Sequence, residues 1–107
     1  MNSNNKNPSQ VFNCEKLYEL LREIPCGKVI TYGKLAEMLG NKGWARVVGN
    51  ALHKNPDREK YPCYKVVNSK GSLSPAYAFG GLEAQRLKLE AEGIPVINGK
   101  VPKEYIL

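Results

Sequence analysis

The spacing of its helix-breaking residues constrains this chain more than any other feature. Pro25 with Gly27, Gly40, the Asn55-Pro56 pair and Gly93 each close a stretch whose apolar residues recur at helical intervals. The first stretch, Val11 to Ile24, turns Cys14, Leu17, Tyr18, Leu21 and Ile24 inward, with Asn13 or Ser9 available to cap its start. Thr31 is placed to cap the second, "YGKLAEMLG", whose inner face is Leu35, Met38 and Leu39. The third, "WARVVGNALHK" from Trp44 to Lys54, buries Val47, Val48, Ala51 and Leu52 and leaves Arg46, Asn50, His53 and Lys54 on its outer face. Pro56 ends it by disfavouring helical geometry in Asn55. A fourth runs from about Leu82 to Glu92.

Little room is left for sheet. "KVIT" reads as an extended link, Tyr64 to Val67 as a short buried strand, and Asn98-Gly99 as the turn of a tight hairpin. The expected fold is therefore mostly α with a little β. Residues 1–9, polar throughout, read as a disordered tail, and 10–107 as a single domain, since 107 residues suffice for one modest core.

Several function classes drop out. No apolar run approaches the roughly 20 residues that span a bilayer, and "MNSNNKNPSQ" lacks the apolar segment of a secretory signal. Three cysteines cannot all pair, so free thiols in a reducing cytoplasm are expected. With His53 the only histidine and no CxxC spacing, neither a metal site nor a cofactor is expected. Lys and Arg number 16 against 10 acidic residues, a net charge of +6 that favours a polyanionic partner, nucleic acid before membrane. The second and third helices, joined by the tight turn "NKG", form a helix-turn-helix candidate whose second member presents Arg46 and Asn50. The same pair also suits any small helical domain.

Four landmarks, "IPCGKVITYGKLAEMLG", "ARVVGNALHKNP", "PCYKVV" and "GGLEAQRLKLEAEG", stand in order over Phe12 to Gly93. In this the chain resembles the C-terminal, active-site domain of the O6-alkylguanine-DNA alkyltransferases and the related alkyltransferase-like proteins. The resemblance implies a winged-helix-like helix-turn-helix domain that binds double-stranded DNA as a monomer, in the cytoplasm with the nucleoid. It implies that Cys63 takes the alkyl group from a flipped-out guanine, irreversibly and once per molecule, as a methylated-DNA–protein-cysteine S-methyltransferase does. Tyr32 would lie against the flipped base and its phosphate, Arg46 would fill the gap in the stack, and Asn50 would contact DNA. Asn55 would brace the loop near the cysteine, and Glu92 would polarise the nucleophile. Extrusion is needed because an exocyclic oxygen is unreachable inside the duplex, and a planar guanidinium suits the vacated gap better than an ammonium. Trp44 would touch DNA or, by a small margin, the core. Lys42, Lys54, Lys65 and Lys70 are candidates for phosphate contacts.

The chain also departs from that pattern. Tyr64 stands where the family has histidine and Lys65 where it has arginine. A phenol with pKa about 10 accepts a proton far less readily than imidazole, so slower transfer is expected if Tyr64 points where that histidine would. The loop "NSKGSLSPAYAFGG" is longer than in typical active members, and its Tyr77 and Phe79 either reshape the pocket or pack. The family's N-terminal domain has no counterpart in this sequence, as in the alkyltransferase-like proteins, which bind the lesion without repairing it and pass it to other repair proteins. Those proteins generally replace the cysteine that is kept here as Cys63. Three readings stay open: an alkyltransferase, a non-enzymatic lesion sensor with a repair-protein partner, and a plain helix-turn-helix DNA-binding protein.

Overall fold

Asn13, in extended backbone geometry, accepts a hydrogen bond from the Lys16 backbone N–H at 3.1 Å and so starts helix α1, Cys14–Arg22. The computed structural model describes residues 11–73 and 80–107. The expected tail over 1–9, and Tyr77 and Phe79, lie outside them. Leu17 and Leu21 of α1 are fully buried, but Cys14 is exposed rather than core. It sits in the first turn, where side chains lean toward the helix start and, here, past the edge of the core.

After the Pro25–Gly27 turn the chain enters a two-residue strand, β1 (Ile30–Thr31). Thr31 then caps α2 (Tyr32–Met38), its hydroxyl accepting from the Lys34 N–H at 3.0 Å. A 3-10 turn over Lys42–Trp44 leads into α3 (Ala45–His53), which packs on α2 to complete the helix-turn-helix. Each helix buries a narrower stripe than its periodicity suggested. Leu35, Ala36 and Leu39 are buried from α2 and its cap, while Met38 is 44% exposed. From α3, Val48, Ala51 and Leu52 are buried, while Val47, a third of a turn to one side, is 39% exposed. Trp44 packs edge-on against Phe12 at the core margin, ring centroids 5.6 Å apart.

The expected strand from Tyr64 is shorter. Cys63–Lys65 form a 3-10 turn closed by Lys65 N–H to the Pro62 carbonyl at 3.1 Å, and only β2 (Val66–Val67) pairs, parallel, Ile30 with Val66 and Thr31 with Val67. The buried Gln85 amide braces this segment. Its nitrogen donates to the carbonyls of Tyr64 (3.0 Å) and Val66 (3.2 Å), tying its own helix to the turn and to β2. Gln85 comes from α4 (Gly81–Ala91), which ends with Glu92 as its cap. Gly93 at φ +82° and the Ile94 N–H bonded back to the Leu89 carbonyl complete a Schellman stop.

Beyond it, Asn98 and Gly99 both have positive φ and link Ile97 to Lys100 in the expected tight hairpin. Val29 pairs with the C-terminal segment, giving its N–H to the Tyr105 carbonyl and its carbonyl to the Leu107 N–H, both at 2.8 Å. Two apolar clusters result. One lies under α1–α3 and includes Cys63; the other joins Val29, Val67, Leu73, Leu89, Ile94 and Val101. Tyr64 packs against both. Among the described residues no helix is long and apolar enough to cross a membrane.

Candidate functional site

Two constellations concentrate the chemistry. The first surrounds the "PCYK" turn. Cys63 is 5% exposed, held in the core cluster with Val48, Ala51 and Leu52. Asn55, 6% exposed, ties down the loop before it: its Nδ2 donates to the Tyr61 carbonyl at 2.7 Å, and its Oδ1 accepts from the Asp57 N–H at 2.9 Å. Tyr61 stacks on Tyr18, ring centroids 5.0 Å apart, and this fixes the far side of the loop. Burial pushes the Cys63 thiol above its ordinary 9.0, outweighing a side-chain hydrogen bond from Asn55 and the positive charge of Lys88.

Beside it lies a polar knot centred on Glu92. The Tyr64 hydroxyl donates to Glu92 Oε2. Glu92 Oε1 receives the Gly27 N–H at 3.1 Å and pairs with Lys65 Nζ at 2.9 Å. Lys65 is 3% exposed and gives a further hydrogen bond to the Pro25 carbonyl at 2.7 Å. Its expected phosphate contact is therefore wrong: the ammonium is spent inside the protein, tying the β2 turn to α4 and the Pro25–Gly27 turn. Burial alone would raise the Glu92 pKa, but the Tyr64 hydroxyl, Lys65 and the Gly27 N–H together hold it below the ordinary 4.5. Tyr64 thus points at Glu92, where the family histidine was expected to act, and the carboxylate it meets already has two other donors, Lys65 and the Gly27 N–H.

The second constellation is a groove of about 570 Å³ along the helix-turn-helix, lined by Tyr32, Gly33, Ala45, Arg46, Gly49, Asn50, Asn68 and Ser69. Arg46 and Asn50 stand one turn apart on the exposed face of α3. Tyr32 opens α2 with its ring over Gly49, where an added Cβ would meet it at 3.9 Å. The opposite wall is the Asn68 turn, whose Oδ1 accepts from the Lys70 and Ser72 N–H groups at 2.9 and 2.8 Å. The structure so brings Tyr32, Arg46 and Asn50 together, and separately Cys63 with Asn55, and Tyr64 with Glu92 and Lys65. Cys63 is not a wall of this groove. The Asn68–Ser69 wall and the Gln85 brace escaped the sequence reading. The first is marked only by a turn signal, the second only by a polar residue one turn before Leu89 on the inner face of α4. Among the described residues no three His, Cys, Asp or Glu side chains gather as metal ligands would.

The family model for the 6-O-methylguanine DNA methyltransferase DNA-binding domain matches residues 13–94. A DNA base-flipping protein of Vibrio parahaemolyticus is 44% identical over 87 residues, which cover 80% of this chain and 85% of that one. A methylated-DNA–protein-cysteine methyltransferase of Shigella flexneri is 42% identical over 78 residues, 73% of this chain but only 44% of the longer enzyme. In structure, the chain is similar to S. pombe Atl1 in complex with damaged DNA containing O6-carboxymethylguanine, with TM-score 0.77 and 33% identity over 88% of this chain and 93% of that one.

Proposed function

The chain belongs to the family of the 6-O-methylguanine DNA methyltransferase DNA-binding domain, and we propose that it is a DNA-repair protein that binds duplex DNA carrying O6-alkylguanine with the damaged base flipped out. One observation carries this reading: Tyr32, Arg46 and Asn50 line a single groove on the helix-turn-helix of a chain with six excess positive charges. The phosphates supply most of the affinity and make it fall with salt. Arg46 offsets part of the few kcal/mol that extrusion costs by entering the emptied stack. Tyr32 packs the base and its phosphate.

Lesion recognition is the main activity. The "PCYK" turn supports a second, weaker one, stoichiometric alkyl transfer to Cys63. There the thiolate sulfur attacks the O6-bound alkyl carbon, the S–C bond forms as the C–O bond breaks, and guanine leaves with the electron pair and is protonated. The retained cysteine and its Asn55 brace favour this step; its protonation state opposes it. Burial raises the pKa of the Cys63 thiol, so less of it is ionised near neutral pH than of a free cysteine.

The test uses duplexes with guanine or O6-methylguanine at one site, fluorescence anisotropy for affinity, and intact mass for transfer. Tighter binding of the damaged duplex is expected, with Arg46→Ala reducing damaged-duplex affinity more than undamaged. A gain of one methylene at Cys63, absent in Cys63→Ala, would make the transfer reading primary. Equal affinity for both duplexes would leave a plain DNA-binding protein.

A further inference from the structure

We propose that this chain discriminates among O6-alkyl lesions by charge, preferring an anionic substituent such as carboxymethyl over a neutral group of the same shape, with Lys88 as the specificity-determining residue. The inference rests on the lesion-binding reading above, because only a flipped O6-alkylguanine directs its substituent toward Cys63. Lys88 lies on α4, half-buried, with its ammonium 5.7 Å from the centre of the Tyr64 ring, next in sequence to that cysteine. A cation over an aromatic face is held there by the ring quadrupole.

Every acid that could neutralise Lys88 from its own helix is engaged elsewhere. Glu83 and Glu90 both pair with Arg86, and Glu92, one turn on, is taken by Lys65, Gly27 and Tyr64. No carboxylate lies within 4.0 Å of Lys88 among the described residues, and the remaining segments, 1–10 and 74–79, contain no Asp or Glu. An uncompensated positive charge therefore faces the "PCYK" turn. Its field reaches the sulfur, where it opposes the effect of burial on the thiol. A carboxylate carried on the alkyl group would be attracted as an ion by that field, while a methyl group or a neutral amide carries no net charge for it to act on.

The test measures anisotropy with four duplexes that differ at one base: guanine, O6-methylguanine, O6-carboxymethylguanine and O6-carbamoylmethylguanine, the neutral isostere. For the native chain the carboxymethyl duplex is expected to bind roughly fivefold tighter than the carbamoylmethyl one, the gain of one partly exposed ion pair. Lys88→Gln should bring that ratio to about one and Lys88→Arg should keep most of it. Both variants should preserve the ratio of O6-methylguanine to guanine, which shows that fold and groove are intact. Damaged duplexes that bind tighter than guanine but equally to one another would overturn charge selection and leave lesion binding standing. A carboxymethyl preference that survives in Lys88→Gln would move the determinant to another residue. Four equal affinities would overturn the lesion-binding reading and this inference with it.

Discussion

Replacing Lys65 by Met tests whether the buried ammonium is a structural tie. The side chain is 3% exposed and touches two acceptors, the Pro25 carbonyl at 2.7 Å and Glu92 at 2.9 Å. Met fills the space of the lysine stem, so no large cavity opens and the effect isolates the charge. Breaking a fully buried ion pair destabilises by about 3–5 kcal/mol. Glu92 is 17% exposed and keeps the Tyr64 hydroxyl and the Gly27 N–H, which lowers its share to about 2 kcal/mol, while the unpaired Pro25 carbonyl adds about 1 kcal/mol. A total near 3 kcal/mol corresponds to a drop of roughly 10–20 °C in Tm for a domain of this size.

Thermal and urea unfolding followed by circular dichroism read that loss, and pH identifies its source. The folded-state pKa of Glu92 is depressed below its ordinary 4.5. Its stabilising contribution is therefore complete at neutral pH and is lost as pH falls below 4.5 through the folded value. Lys65 is one of the causes of that depression, so the gap between native and Lys65→Met chains should narrow from pH 5 to pH 3. A loss under about 0.5 kcal/mol, or a gap unchanged across that window, would refute the tie.

Three further outcomes are expected. Gly71 has φ +83°, and a Cβ there would stand 2.6 Å from the Val101 carbonyl oxygen, so Gly71→Ala should destabilise by about 2 kcal/mol or more in urea unfolding; an unchanged midpoint would contradict that geometry. With iodoacetamide at pH 8, the exposed Cys14 and Cys26 should label ahead of the buried Cys63, whose rate should still be rising above pH 9 because its thiol lies above 9.0; peptide mass mapping decides. Tyr64→His places an imidazole against Glu92 and should raise methyl transfer to Cys63 by roughly tenfold or more; an unchanged yield of methylated Cys63 peptide would show that the proton relay is not limiting.

What could be read from the sequence was what neighbours in the chain decide. The Thr31 cap, the Gly93 stop and the Asn98-Gly99 turn are local chemistry, and each stands where the residues put it. Helix faces were legible in direction but not in width. Cys14, Met38 and Val47 satisfy the period yet fall beyond the edge of what the neighbouring elements cover. Lys65 misled for a deeper reason. Its partners, the Pro25 carbonyl and Glu92, come from opposite ends of the domain, and only the parallel pairing of β1 with β2 and the seating of α4 bring them to it. The groove residues Tyr32, Arg46 and Asn50 were accessible because α2 and α3 are adjacent and short.

Glu92 occupies the cap at the C-terminal end of α4, where the helix dipole disfavours a carboxylate. Three donors offset that penalty, and the same three unfit it as a base. For Tyr64 to relay a proton, it must accept one from Cys63 while passing its own to Glu92. That moves a proton from a thiol whose pKa burial raises to a carboxylate whose pKa its donors hold low, so the transfer runs uphill along that route. It would also discharge the carboxylate that holds Lys65 in the core. The residues that hold this turn together and those that would activate its cysteine therefore make opposite demands on one carboxylate. The groove on α2 and α3 lies outside that conflict, so a chain built this way can lose speed in alkyl transfer and keep its grip on the lesion.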